Sequence, residues 1–224
     1  MSNKVAGEAV RGSLFVISAP SGAGKTSLVR ALLERCSNLQ FSVSCTTRPR
    51  REGERDGVDY HFVDHAGFEQ RVAAGEFLEH AEVFGNYYGT SRDEVEQRLQ
   101  VGQDVILEID WQGAGQVRRH MPESVSIFIL PPSREALERR LHGRGKDSVE
   151  VIRQRLAEAE AEMSHWQEFE YVIVNDDFDQ ALDDLAALVR GRRLRSAAQA
   201  ARHAALLADL GVSQPFGPDI LSGR

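Results

Sequence analysis

The chain has 224 residues, of which 42% are hydrophobic and 27% are charged. This composition supports one large or two small packed cores and excludes a disordered or collagen-like chain. The formal net charge of -7 has the wrong sign for a protein that coats long nucleic acid, so any polyanion site must be local. Cys36 and Cys45 are too few for a disulfide framework, and no apolar run reaches the length of a membrane span. We therefore expect a soluble, cytoplasmic protein that has neither nucleic acid nor a membrane as a partner.

Short apolar runs alternate with longer amphipathic segments along most of the chain. The apolar runs are LFVIS at 14–18, DVILEID at 104–110, SVSIFIL at 124–130 and YVIVN at 171–175. Such runs are typical of strands buried on both faces of a parallel sheet. Helical patterns occupy residues 25–35, 91–101, 133–142 and 148–168. The alternation predicts an α/β fold, in which helices flank a parallel sheet.

Three segments depart from this alternation. Residues 41–90 alternate apolar with polar positions between charged turns, which predicts an inserted lobe with a small mixed or antiparallel sheet. Residues 131–148 combine a helical pattern with a cation-rich turn, which predicts a helical lid. Residues 191–224 form an Arg- and Ala-rich helical extension that ends in Gly, Pro and Ser. Its alanine-rich face suits a subunit contact or an ordinary terminal helix, so the sequence is compatible with a homo-oligomer.

The strongest motif follows the first predicted strand and precedes a predicted helix. It nearly matches the P-loop pattern, and it reads Ala19-Pro20-Ser21-Gly22-Ala23-Gly24-Lys25-Thr26, with Ser27 next. Its glycines let backbone N–H groups face phosphates, Lys25 adds a cation, and the Thr26 hydroxyl can bind magnesium. Ala19 replaces a glycine of the pattern, which predicts that this position needs no positive φ. A glycine-rich turn with an incidental lysine is the alternative, but the flanking strand and helix favour the P-loop.

A second feature is a cluster of arginines at the end of a predicted strand. Four arginines fall within eight residues, at Arg48, Arg50, Arg51 and Arg55. In an acidic protein they would repel one another unless an anion or nearby carboxylates separated them. Arginine is also the residue best suited to bidentate phosphate recognition. The segment therefore indicates either a phosphate site or a solvated charged loop.

The predicted lobe also contains residue types that could recognise a guanine base. The carboxylate of Glu79 can accept from two adjacent N–H donors, which guanine presents and adenine does not. The hydroxyls of Ser44 and Thr90 could complete such a pocket, and Tyr60 and Tyr88 offer stacking faces or hydrogen bonds to phosphate. A wrong base would leave buried polar groups unpaired, which gives strong discrimination.

Six separated blocks of this chain resemble the guanylate kinase family, in its bacterial form. They are SAPSGAGKT, SCTTRPRREGERDGVDYHF, EFLEHAEVFGNYYGT, ILEIDWQG, RRLHGRG and YVIVNDD. The resemblance covers residues 12–190 and implies a P-loop NTPase-type core over 12–40, 91–130 and 149–190. It implies a GMP-binding lobe over 41–90 and a lid over 131–148. The implied reaction transfers the γ-phosphoryl group of ATP to GMP, giving ADP and GDP, with Mg²⁺ as cofactor.

The resemblance also implies which residues bind GMP. Those that hold its phosphate are Arg48, Arg51 and Tyr60, with Tyr88 beside them. Those that contact guanine are Ser44, Glu79, Thr90 and Asp110.

A further set of residues is expected at the ATP phosphates. The resemblance implies that the catalytic cations are Lys25, Arg140, Arg144 and Arg155. Thr26 is expected at Mg²⁺, and Asp110 at the end of the run VILEID is a second candidate that acts through water. Glu108 either shares that role or is a satisfied buried carboxylate. Asn175, where the last predicted strand ends, is placed to meet the adenine of ATP.

Two other functions are compatible with parts of this pattern. A guanylate-kinase-like protein-binding module shares the fold without catalysis, but such modules typically lack an intact P-loop. A kinase for another nucleoside monophosphate would require that Glu79 does not face the base.

Overall fold

A computed structural model of the chain describes residues 10–83, 85–142 and 149–212. Its larger sheet has five strands in the order β2-β7-β1-β8-β9, and every neighbouring pair is parallel. The strands of this sheet are β1 (Leu14–Ser18), β2 (Leu39–Phe41), β7 (Asp104–Glu108), β8 (Val125–Leu130) and β9 (Tyr171–Val174). The predicted parallel α/β fold is confirmed.

Helices cover both faces of this sheet. They are α1 (Lys25–Arg35), α3 (Arg92–Gln100), α4 (Trp111–His120), α5 (Arg134–His142), α6 (Val149–Met163) and α7 (Phe178–Arg193), followed by α8 (Ser196–Arg202) and α9 (Ala204–Asp209). A 3-10 turn, Trp166–Glu168, separates α6 from β9. Side chains of β1 alternate between the two apolar layers, with Phe15 and Ile17 in one and Leu14 and Val16 in the other. This explains why the strand is apolar at successive positions.

A second, four-stranded sheet lies between β2 and β7 in the chain. Its order is β4-β3-β6-β5, formed by β3 (Cys45–Thr46), β4 (His61–Phe62), β5 (Phe77–Val83) and β6 (Asn86–Ser91). β3 and β4 are parallel whereas the other pairs are antiparallel, so the sheet is mixed. Helix α2 (His65–Ala73) packs Phe68 on this sheet, and the Phe68 ring stacks 4.7 Å from that of Phe77.

Five elements lie outside the set that the sequence predicts. They are β2, α2, β6, α4 and α7. β2 has three residues, and its Phe41 pairs with Ile106 of the larger sheet although Phe41 begins the predicted lobe. α7 carries a helical signal, since its buried Ala181, Leu185 and Val189 are four residues apart. Within the described ranges, the search for a helix long and apolar enough to cross a membrane finds none.

Candidate functional site: a P-loop beside a buried carboxylate

The loop between β1 and α1 has the backbone of a phosphate-binding turn. Gly22 and Gly24 adopt φ values of 91° and 95°, in the left-handed region that glycine tolerates. A Cβ at Gly22 would lie 2.9 Å from a methyl carbon of Leu137 on α5, and one at Gly24 would lie 2.4 Å from the amide nitrogen of Asn175. Both glycines are therefore required by conformation and by space. Among the described residues other than glycine, Asn38 has a positive φ and Ala19 does not. This confirms the prediction that position 19 needs no positive φ.

The first turn of α1 consists of Lys25, Thr26 and Ser27. The N–H groups in the first turn of a helix have no acceptor within the helix. Together with the positive end of the helix dipole, they favour the binding of an anion. The Lys25 ammonium lies 3.4 Å from the carbonyl oxygen of Ile109, at the carboxyl end of the sheet. Burial lowers the pKa of Lys25, while the carboxylate of Glu108 opposes that shift most strongly among its neighbours. This turn therefore presents a cation and free donors to the same space.

Two side chains from distant elements hold the P-loop. Asn175, which follows β9 and is 4% exposed, donates from Nδ2 to the carbonyl oxygen of Ala23 at 2.7 Å. Arg140 of α5 donates to the carbonyl oxygens of Asn175 at 2.9 Å and Ala23 at 3.4 Å. The amide of Asn175 is thus engaged with protein backbone, and its contact with adenine stays a prediction. Arg140 therefore lies against the P-loop, and its role at the transferring phosphoryl group stays a prediction.

Two carboxylates also reach the P-loop. The Thr26 hydroxyl donates to the carboxylate of Glu108, the last residue of β7. Glu162 of α6 accepts at 3.1 Å from the backbone N–H of Ser21. Burial raises the pKa of Glu162, and the charge of Lys25 opposes that rise. Sequence reasoning does not identify Glu162 as a site residue. Glu162 lies in an alternating acidic run on α6, which resembles an ordinary solvated helix face.

The second part of the site is a buried carboxylate on β5. Glu79 is 5% exposed, and its Oε1 accepts from the Thr90 hydroxyl of the adjacent strand at 2.6 Å. Burial raises the pKa of Glu79 to about 7, and the nearby charge of Asp110 adds to the rise. Asp110 caps α4 by accepting from the N–H of Gly113 at 2.7 Å. Ser44 lies one residue before Cys45, which pairs with Gly89, so Ser44 and Thr90 are neighbours across the sheet.

The arginines predicted to hold the GMP phosphate are partly positioned by an acidic residue, Glu54. Arg48 donates to Glu54 Oε1 at 2.7 Å, and its guanidinium lies 5.4 Å from the centre of the Tyr60 ring. The hydrogen bond that Arg48 donates to Glu54 raises the pKa of Arg48, and burial raises that of Tyr60. The ring of Tyr88 meets that of Tyr60 edge-on at 6.0 Å. Arg51 has an exposed side chain, and its backbone N–H donates to Glu54 Oε2 at 2.8 Å.

The arginines predicted to be catalytic, in the lid and in the helix after it, divide between described and undescribed parts of the chain. Arg140 lies on the P-loop, as above, and Arg155 is half-buried on α6. Arg144 and the rest of the predicted turn at 143–148 lie outside the described residues, as do residues 213–224 of the predicted extension.

Two cavities mark opposite ends of the larger sheet. One of about 490 Å³ adjoins the P-loop and is lined by Pro132, Ser133, Ala136, Arg139, Arg140 and Asp176. A larger one of about 900 Å³ lies near the amino end of β1, between the segment 10–14 and the start of α8. The chemistry-bearing residues converge on the carboxyl ends of the strands, where ligands bind in open α/β sheets. We therefore associate function with the smaller cavity.

Similarity to known proteins agrees with this geometry. The family model described as Guanylate kinase matches residues 11–192. The guanylate kinases of Chromohalobacter salexigens and Alcanivorax borkumensis are each 60% identical over 200 residues, which is 89% of this chain and 93% and 97% of those proteins. The crystal structure of guanylate kinase from Anaplasma phagocytophilum is 38% identical, with a TM-score of 0.70 over 90% of this chain and 96% of that chain. The chain is thus similar to these proteins both in sequence and in fold.

Proposed function

Since the chain belongs to the guanylate kinase family, we propose that it transfers the γ-phosphoryl group of ATP to GMP, giving ADP and GDP. The observation that carries this proposal is the position of Asp110. Asp110 follows Ile109, whose carbonyl oxygen lies 3.4 Å from Lys25 Nζ of the P-loop. It also caps the helix on which a Cβ at Gly113 would lie 2.8 Å from Glu79 Oε2 of the second sheet, so the phosphate and base sites are adjacent. Direct transfer between two bound nucleotides requires that adjacency, because phosphoryl donor and acceptor must lie in line.

The P-loop provides the ATP side of the reaction. Residues 19–27 bind the phosphates through their backbone N–H groups, which Pro20 lacks, and through the Lys25 ammonium, while Arg140 and Arg155 compensate charge on the transferring group. Arg144 is proposed for the same role. Arginines of this kind contribute roughly a thousandfold or more to rate in phosphoryl transfer. The nucleoside of ATP lies in the cavity that Asp176 borders, beside Asn175.

The second sheet provides the GMP side. Arg48, Arg51 and Tyr60 hold the phosphate, and Tyr88 lies beside them. Glu79, as a carboxylate, accepts from the N1–H and 2-amino groups of guanine, while Ser44, Thr90 and Asp110 complete the pocket. No general base is needed, because the attacking oxygen of the GMP phosphate is already anionic. The lobe is residues 41–90, the lid is 131–148, and both belong to a domain over 12–190 with 191–224 as an extension.

The residues at the P-loop fit a magnesium ion. The Thr26 hydroxyl and the Glu108 carboxylate are oxygen donors in direct contact, and Mg²⁺ is commonly held by one or two such groups together with substrate phosphates. Glu108 contacts Thr26 directly, whereas Asp110 uses Oδ1 to cap α4. Across the described ranges, no three His, Cys, Asp or Glu side chains cluster as a protein-only metal site. Thr26 and Glu108 would hold the Mg²⁺ that accompanies ATP, and the ion would supply neutralisation of phosphate charge.

The test is the initial rate of ADP formation from Mg-ATP with GMP, AMP, CMP or UMP as acceptor. The proposal expects a rate with GMP far above the others and its loss in Lys25→Ala. Binding of GMP without turnover of any acceptor would instead support the protein-binding module. A high rate with AMP, CMP or UMP and little or none with GMP would support a kinase for another monophosphate. In either case the proposed reaction would be wrong.

A further inference from the structure

We infer that Gly113 on α4 is a positioning residue for base recognition: the space left by its missing side chain holds the carboxylate of Glu79. The inference rests on the proposed function, since it assigns Glu79 to guanine. Gly113 is buried in the first turn of α4. A Cβ at this position would lie 2.8 Å from Glu79 Oε2 and 3.2 Å from Asp110 Oδ1. The first distance is shorter than real Cβ contacts, so any side chain at 113 must displace the carboxylate or the helix.

The backbone of Gly113 does not itself require glycine. Its φ is not positive, unlike the φ of Gly22, Gly24 and the other turn glycines. Glycine disfavours a helix relative to alanine, because it loses more backbone freedom on folding. Space for the neighbouring carboxylate therefore explains this residue, whereas local conformation does not.

The carboxylate of Glu79 cannot move aside freely. Its Oε1 is held by the Thr90 hydroxyl, and the residue is almost wholly buried. The backbone on either side is fixed to α4 as well. Gln116 accepts from the N–H of His80 at 3.1 Å and donates to its carbonyl at 2.9 Å, and His120 Nδ1 lies 2.9 Å from the carbonyl oxygen of Leu78.

Through these contacts α4 bonds to the backbone of β5 as a neighbouring strand would. β5 is at the edge of its sheet, and α4 side chains satisfy backbone groups that an edge strand leaves open. Helix α4 thus fixes the backbone that carries Glu79, and Gly113 leaves room for its side chain. Guanine selectivity should therefore depend on α4, a helix that covers the larger sheet, as well as on the lobe over 41–90.

Two other glycines provide matched controls. Gly115 is on the same helix, and a Cβ there would meet the side chains of Arg119 and Arg118 at 3.9 and 4.0 Å, which are ordinary contacts. Gly67 occupies the same place after an aspartate cap on α2, where a Cβ would lie 2.9 Å from Asp64 Oδ1. Gly115→Ala controls for added helix propensity, and Gly67→Ala controls for crowding an aspartate cap.

The experiment measures kcat and KM with GMP and with IMP, which lacks the 2-amino group, at saturating Mg-ATP. Gly113→Ala should lower the GMP to IMP ratio of kcat/KM at least tenfold, mainly through the KM for GMP. The KM for ATP should change less than twofold. Gly115→Ala and Gly67→Ala should retain the wild-type ratio. An unchanged ratio in Gly113→Ala, or the same loss in either control, would overturn the inference.

A double mutant separates this inference from the proposed function. If Gly113 acts through Glu79, Gly113→Ala should lower the ratio no further in a Glu79→Gln background. A further loss of threefold or more in that background would contradict action through Glu79. A Glu79→Gln variant that keeps the wild-type ratio would refute the guanine role of Glu79 itself. Should Gly113→Ala fail to fold, Gln116→Ala must lower the ratio in the same direction, and an unchanged ratio would sink the role of α4.

Discussion

Glu79→Gln should make the protein more stable at alkaline pH. The Glu79 carboxyl is buried, and its pKa is raised from 4.5 to about 7. At ~1.4 kcal/mol per pKa unit, ionising it in the folded state costs on the order of 3 kcal/mol more than in the unfolded chain. Glutamine keeps an oxygen that can accept from Thr90 and removes the charge. The substitution should therefore remove a destabilising ionisation.

The sign of the pH dependence follows from the raised pKa. Between pH 4.5 and about 7 the folded state binds more protons than the unfolded state, so the stabilising contribution of the neutral carboxyl declines as pH rises. It is fully present below the unfolded value and lost above the folded one. Relative to wild type, Glu79→Gln should gain about 2 kcal/mol in unfolding free energy between pH 5 and pH 8.

The assay is denaturant unfolding of both proteins at pH 5, 6, 7 and 8, with the difference in unfolding free energy as the readout. Thr90→Val provides a second arm, because it removes a hydrogen bond that lowers the pKa of Glu79. In that variant the loss of stability should extend to higher pH. A Glu79→Gln difference that stays constant from pH 5 to pH 8 would refute the reasoning, since it would mean that Glu79 has the same pKa in both states.

Three further substitutions test the contacts around the two nucleotides. Asn175→Ala removes a buried donor to Ala23 and should lower the unfolding free energy by about 1–3 kcal/mol, with a higher KM for ATP and an unchanged KM for GMP; a larger effect on GMP would argue against a P-loop role. Glu54→Gln should leave the unfolding free energy nearly unchanged, as expected for a surface ion pair, but raise the KM for GMP severalfold, because glutamine lacks the charge and keeps only one of the two oxygens that accept from Arg48 and from the Arg51 N–H. A lowered KM would indicate that Glu54 competes with phosphate. Glu162→Gln should lower the KM for ATP, because it removes an anion beside the phosphate site, and a raised KM would contradict this.

The sequence predicts the larger sheet better than the helices around it. Runs such as LFVIS at 14–18 are buried on both faces, and each of their residues contributes to the apolar pattern. Helix α4 carries two glycines among ten residues, WQGAGQVRRH, which weakens its helical signal. One of them, Gly113, is explained by a contact with Glu79, 34 positions earlier in the chain. A pattern in neighbouring residues cannot reveal a requirement set by so distant a residue.

The candidate site shows the same division. The P-loop is continuous in sequence, so its residues are evident from one motif together with the strand and helix beside it. The contacts that hold it are not: Asn175 is 152 positions from Ala23, and Glu162 is 141 positions from Ser21. The type of residue indicated phosphate chemistry at Arg48, and Glu54 was one of several carboxylates that could separate the arginines. Choosing Glu54 required the turn geometry of residues 48–54.

The segment 108–113, which runs from the last residue of β7 into the first turn of α4, accounts for the joint placement of both nucleotide sites. At its start, Glu108 accepts from the P-loop side chain Thr26, and the next carbonyl, that of Ile109, faces Lys25. At its end, Gly113 lies against Glu79, which belongs to the other sheet. Asp110, which caps the amino end of α4, adds its charge to the burial that raises the pKa of the same carboxylate. A shift of this segment would therefore move the phosphate and base sites together, so substitutions here should alter ATP and GMP kinetics jointly unless, like Gly113→Ala, they act on one side chain.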